Sequence, residues 1–204
     1  VDGAIGGVFA LQKTTTSVVV GIEKANSITL NPQKILGVAK TSSLLLVADK
    51  SNLLAAFGKG LTYMEPAWGE AHGGEMGIQG SRPAEVLKLW LGLRQLGESG
   101  IKVLLEGAIE RRCYLQQRLD QKKFEILSGP LHLIAFSPRG LNQEQVATWS
   151  KSTRQILLDN QLMLSRPLHR NTFYLKAVLG NPNTKLQHLD KLAVLLNKSL
   201  TELN

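Results

Sequence analysis

Three short stretches carry residue types that can do chemistry. Asp2-Gly3-Ala4 sets a carboxylate beside two small residues at an expected strand end. An acid there can point into the cleft beyond the strand termini, where α/β sheets bind ligands, and it equally suits a turn or a cap. Ser27 to Lys34 reads as a strand turned by Asn31-Pro32, with Gln33 and Lys34 directly after the turn. A lysine just past a buried strand is partly desolvated, which lowers its pKa and frees the amine for Schiff-base chemistry. A solvated lysine in a surface turn has the same sequence. Gln79-Gly80-Ser81-Arg82 leads into an apolar helical pattern. Free N–H groups and the helix dipole bind anions at such a place, unless Ser81 simply caps the helix.

These groups need a scaffold to bring them together. The patterning predicts a helix over 17–25 and strands over 27–30 and 42–48. Such alternation implies an α/β layer with a mixed or parallel sheet. Residues 58–80 are Gly-rich and aperiodic, a long loop of the kind that usually serves function. A helix then opens at Ser81 with Pro83 in its first turn, presents Leu89, Trp90, Leu93 and Leu96, and stops at Gly97. A second helix follows over 98–121. Gly129-Pro130 separates strands over 124–127 and 131–136, and Asn142-x-x-Gln145 opens a helix as a capping box. A third strand is expected over 172–179, and Thr184-x-x-Gln187 opens the last helix. The expected division is residues 1–80 as part of an α/β domain, 81–120 as connecting helices, and 121–204 as a small α+β domain.

An acid, a lysine about thirty residues on and an anion site are the parts that hold pyridoxal 5'-phosphate: amine for the aldehyde, acid for the pyridine nitrogen, N–H donors for the phosphate. The segments themselves go further. Val1-Asp2-Gly3-Ala4-Ile5-Gly6-Gly7 resembles the VDAAYGG stretch of the group II pyridoxal-phosphate-dependent amino-acid decarboxylases, and Ala25 to Lys34 resembles their ADS…HK stretch. Gly80-Ser81-Arg82 with Leu87 to Leu91 is similar to their GRR…LKLW helix, and 173–184 to their closing strand and NPxTT turn. The four matches run in the family's order over essentially the whole chain.

The resemblance implies the C-terminal half of a fold-type I enzyme, of the aspartate aminotransferase fold, that decarboxylates an L-amino acid to an amine. Asp2 would pair with the pyridinium, Ala4 would lie under the ring, and Lys34 would be the Schiff-base residue. Gln33 stands where the family has a phosphate-contacting histidine, and Gly80 and Ser81 would contribute to the phosphate site. Thr41-Ser42 replaces an acid-Cys pair, and Lys176 replaces an arginine suited to bidentate carboxylate binding. A loop tyrosine often protonates the product carbon in this family. Tyr63 lies early in the loop, and His72, nearer the matching place, is the expected catalytic donor. Transamination, oxidative deamination or a degenerate, non-catalytic relative would use the same acid and lysine. The family's ring-stacking histidine and much of its phosphate site precede the Asp segment, so this chain implies a fragment or a companion N-terminal half that covers its open sheet. A homodimer is also implied.

Composition is compatible with this. Of 204 residues, 43% are apolar, enough for a core. No run reaches a membrane span, and the start shows no secretory leader. Cys113 is alone, which favours a reducing compartment and a cytoplasmic location. The net charge of +8 is scattered, and with 5% aromatic residues there is no stacking platform, so nucleic acid is not an expected partner.

Overall fold

A computed structural model describes residues 1–40, 42–58 and 73–200, with only the backbone of Thr16. The chain forms two compact units, Val1–Ile101 and Lys102–Asn204. The boundary falls among the helices that the sequence placed between the two domains, over 81–120.

In the first unit, strand β1 (Ser27–Leu30) pairs antiparallel with β2 (Leu44–Val47). On its other side Thr29 bridges Asp2 in parallel. The sheet is therefore mixed, as the patterning allowed. Ile28 and Leu30 are half-buried and alternate with exposed Ser27 and Thr29, the period-two signature of a strand covered on one face. Gly7 starts a 3-10 turn over Gly7–Leu11, and a Cβ there would meet the Leu30 side chain, so this turn packs close against β1. Val8 and Phe9 are its buried anchors. The helix expected over 17–25 is instead two 3-10 turns, Thr16–Val19 and Ile22–Lys24, divided at Gly21, whose φ of 91° is left-handed. Three consecutive β-branched residues, Val18 to Val20, also disfavour continuous α-helix.

Helix α1 covers Ser51–Phe57, and α2 covers Val86–Arg118. Gly97, at φ 59° and ψ −176°, interrupts α2 where the sequence placed a stop. Its start departs from expectation. The Glu85 N–H turns back onto the Pro83 carbonyl at 2.7 Å, so Pro83 and its neighbours form a tight turn and helical geometry begins only at Val86.

The second unit has a three-stranded antiparallel sheet in the order β3 (Phe124–Ser128), β4 (Leu133–Pro138), β7 (Leu175–Val178). Its inner face is Phe124, Ile134, Phe136, Leu175 and Ala177, all essentially closed to solvent. Against it lie α3 (Gln143–Asp159) through Trp149 and Leu157, α4 (Leu186–Ser199) through Leu189, Leu192 and Leu196, and the end of α2 through Leu115 and Leu119. An antiparallel sheet with helices over one face is the α+β domain expected there. Asn142 and Gln145 form the full capping box, each side chain accepting from the other's backbone N–H at 2.9 Å.

Two boundaries differ from the sequence reading. The last helix begins at Leu186, after Lys185, whose N–H donates to Nδ1 of His188 at 3.2 Å, and not at Thr184. The strand expected over 172–179 divides at Tyr174. Thr172–Phe173 (β6) pairs with Leu168–His169 (β5) across a hairpin, while β7 pairs with β4. Among the described residues, no helix is long and apolar enough to cross a membrane.

Candidate active site

The parallel bridge between Asp2 and Thr29 places both side chains on the same face of β1. Close approach of the two segments requires a residue without a side chain at position 3. A Cβ on Gly3 would lie 2.7 Å from the Thr29 carbonyl oxygen, inside any real contact. With the backbone that near, Oδ1 of Asp2 accepts from the Ala4 N–H at 3.0 Å and from the Thr29 hydroxyl at 3.3 Å. The Ala4 N–H is the main influence that holds the Asp2 carboxyl below its usual range; desolvation opposes it, and the Thr29 hydroxyl, then the charges of Lys34 and the N-terminus, add smaller lowering effects. The group is therefore a carboxylate at neutral pH.

Beyond β1 the chain turns twice. The Lys34 N–H donates to the Asn31 carbonyl at 3.0 Å, closing a turn with Pro32 at its favoured second position. The Gly37 N–H then donates to the Lys34 carbonyl at 3.2 Å, with Gly37 at φ 67°. Pro32, Ile35, Leu36 and Val38 are buried, which pins the segment and leaves the Lys34 side chain exposed. The burial expected around Lys34 is thus not provided by the described residues of this chain. What β1 provides is proximity to Asp2. Gln33 is half-buried, and its Oε1 accepts from the Ser42 N–H at 2.8 Å. With the carbonyl end engaged, the amide –NH2 is the end left to meet a ligand.

Gly80 and Ser81 are exposed and precede the helix by several residues. The helix N-terminus expected at Ser81 therefore lies several residues further on, at Val86. Lys176, half-buried on the outer face of β4 and β7, lines a hollow of about 390 Å³ with Leu127, Leu133 and Ala135. Its backbone pairs with Ser165 in both directions. His72, Tyr63 and Thr41 lie outside the described residues. Sequence reasoning missed Thr29, whose only signal was its place five residues before Lys34 on the strand.

The donor set fits pyridoxal phosphate: a primary amine, a carboxylate kept ionised close to it, and an amide N–H donor beside the lysine. The model of the pyridoxal-dependent decarboxylase conserved domain matches residues 1–138, well over half of the chain. The chain belongs to this family. The decarboxylase match covers both Asp2 and Lys34. Among relatives, human cysteine sulfinic acid decarboxylase is 31% identical over 136 residues, 64% of this chain and 28% of that protein. A mouse acidic amino acid decarboxylase is 26% identical over 209 residues, covering 93% of this chain and 38% of the relative. Catharanthus roseus tryptophan decarboxylase, solved in complex with L-tryptophan, superposes with a TM-score of 0.82 at 20% identity, over all of this chain and 44% of that one. The chain therefore has the α/β architecture of a partial region of the fold-type I decarboxylases, and spans less than half the length of these relatives.

Proposed function

We propose that this chain is the part of a pyridoxal-phosphate-dependent L-amino-acid decarboxylase that carries the cofactor's lysine and the acid for its ring nitrogen. The observation that carries the reading is the Asp2 carboxylate, held ionised by Ala4 and Thr29 and close enough to Lys34 to feel its charge. When bound, the cofactor supplies an electron sink that accepts the pair left at Cα as carbon dioxide departs.

The residues of the chain divide the remaining work. Lys34 would hold the aldehyde through its amine and would serve as the amine for product release. Asp2 keeps a proton on the ring nitrogen by pairing its negative charge with the resulting cation. Gln33 donates its amide N–H to the phosphate without adding charge, and Gly80 and Ser81 contribute polar backbone to the same group. Ala4 would contribute a small apolar contact to the ring. His72 supplies the proton to Cα, and a His72→Ala enzyme with unchanged turnover and product distribution would remove it from that role.

The rest of the site comes from sequence outside this chain, in the same polypeptide or a companion one. Leu45 and Leu46, 52% and 47% exposed on opposite faces of β2, support this because the strand keeps an apolar side chain open to solvent on each of its faces. The assembly is a homodimer, and the unpaired Cys113 suits a cytoplasmic location.

Borohydride reduction of the cofactor-loaded full-length protein, followed by peptide mapping, tests the reading. Label on Lys34 is expected, and label on another lysine would overturn the assignment. The retention of Gln33 and Lys176 where the family has histidine and arginine favours a second reading, a cofactor-binding relative without decarboxylase activity. Release of carbon dioxide from candidate amino acids separates the two.

A further inference from the structure

We infer that Thr29 is a positioning residue that orients the Asp2 carboxylate toward the cofactor ring, an assignment that rests on the pyridoxal-phosphate reading above. A carboxylate on an exposed side chain rotates freely about its last bond and offers either oxygen to a partner. Asp2 is exposed, yet both of its hydrogen bonds fall on one atom, Oδ1: the Ala4 N–H at 3.0 Å and the Thr29 hydroxyl at 3.3 Å. Two donors arriving from different segments fix the plane of the group and leave Oδ2 as the uncommitted oxygen.

The Ala4 donor is local, two residues along the chain, and by itself makes an ordinary Asx-type turn. The Thr29 donor is 27 residues away and comes from the strand that leads directly to Lys34. It therefore ties the orientation of the acid to the same strand that sets the lysine. The register is fixed independently of the side chains, since the Thr29 N–H donates to the Val1 carbonyl at 3.1 Å and Gly3 allows the close approach. The Thr29 side chain is exposed, so its hydroxyl is oriented by this hydrogen bond and not by packing. The hydroxyl keeps Oδ1 occupied, so that Oδ2 is the oxygen presented to a protonated ring nitrogen. It also stabilises the ionised form of Asp2, on which retention of that proton depends.

The test uses the full-length protein with pyridoxal phosphate labelled with ¹⁵N at the ring nitrogen. Three forms are compared: the natural protein, Thr29→Val, which keeps the shape and removes the hydroxyl, and Thr29→Ser, which restores it. The readouts are the ring-nitrogen chemical shift as a function of pH and the cofactor dissociation constant. Thr29→Val is expected to move deprotonation of the ring nitrogen to lower pH and to weaken cofactor binding by up to about tenfold, the effect of losing one ordinary, solvent-exposed hydrogen bond. Thr29→Ser is expected to follow the natural protein in both. If Thr29→Val does not fold, Thr29→Ala against Thr29→Ser makes the same comparison. Borohydride label on Lys34 together with an unchanged ring-nitrogen titration and affinity in the hydroxyl-free variant would overturn the role of Thr29 and leave the cofactor reading standing. Absence of label from Lys34 in the natural protein would overturn both.

Discussion

His132 provides a quantitative test of the second unit. It lies just before β4 with 3% of its surface exposed. Its carbonyl accepts from the Leu179 N–H at 3.0 Å, and the Leu179 carbonyl in turn accepts from Nε of Arg111 at 2.9 Å. Burial, reinforced by the positive charge of Arg111, pushes the imidazole down from 6.5 to about 4. The unfolded chain therefore binds a proton that the folded chain does not hold between those two values. Its stabilising contribution is fully present above the unfolded value and is lost as pH falls toward the folded one. Integrated over this interval, going from about pH 7 to about pH 5 removes about 1.8 kcal/mol, and the loss at still lower pH reaches at most about 3 kcal/mol. With a urea slope of about 1–3 kcal/mol/M, the first figure moves the midpoint by about 0.6–1.8 M. The assay is urea unfolding by far-UV circular dichroism at several pH values, for the natural chain and for His132→Gln. The variant is expected to be less stable at neutral pH but to have a flatter pH profile, the two curves converging in acid. Parallel profiles would refute the reasoning, because they would show that His132 titrates alike in the folded and unfolded states.

Two further substitutions examine local geometry. Gly3→Ala places a methyl 2.7 Å from the Thr29 carbonyl oxygen, and backbone cannot rotate away as a side chain can. A loss of roughly 1–3 kcal/mol is expected, read as a lower urea midpoint together with faster amide exchange at Thr29; an unchanged midpoint would show that the two segments separate freely. Asn142→Ala removes the acceptor for the Gln145 N–H at the start of α3 and should cost about 1 kcal/mol. Thermal unfolding of that variant against Gln145→Ala separates the two halves of the box, and a neutral Asn142→Ala would mean that water replaces the cap.

The second unit was the more legible part of the chain, for reasons that particular residues make clear. Gly129-Pro130 between two apolar runs, and Asn142 three residues before Gln145, are local signals whose meaning does not depend on distant contacts. The hairpin β5–β6 had no such signal. Its turn is Arg170-Asn171, with both residues at positive φ of 47° and 62°. An Asn-Gly or Gly-Asn pair would have announced that geometry, but arginine does not. The continuous β-rich run over 172–179 then concealed the place where the chain changes partner at Tyr174. Near the start of α2, Pro83 suggested a first helical turn, yet the same residue closes a tight turn with Glu85 and delays the helix to Val86. Proline is compatible with both conformations, so the sequence alone did not decide between them.

Asp2 and Lys34 were recognisable because their spacing and surrounding motifs resemble the family's, whereas the proposed orientation of the acid is not written in either motif. It depends on a residue at position 29 whose hydroxyl reaches the carboxylate only because β1 and the opening segment are in parallel register and Gly3 carries no side chain. Linear spacing identifies groups that bring their own chemistry, an amine or a carboxylate. It does not identify the neutral group that aims one of them, since a threonine on an exposed strand face has many ordinary reasons to be there. Only the pairing of hydrogen bonds on a single oxygen separates those reasons. The same logic applies to Gln33. In sequence it is a missing histidine, but in the structure it is an amide anchored through Oε1 to the Ser42 N–H, with its donor end fixed by elimination. A neutral donor held in this way keeps directionality toward an anion while giving up the charge. On the proposed cofactor reading, affinity is therefore expected to depend on geometry at positions 29 and 33 more than on added positive charge.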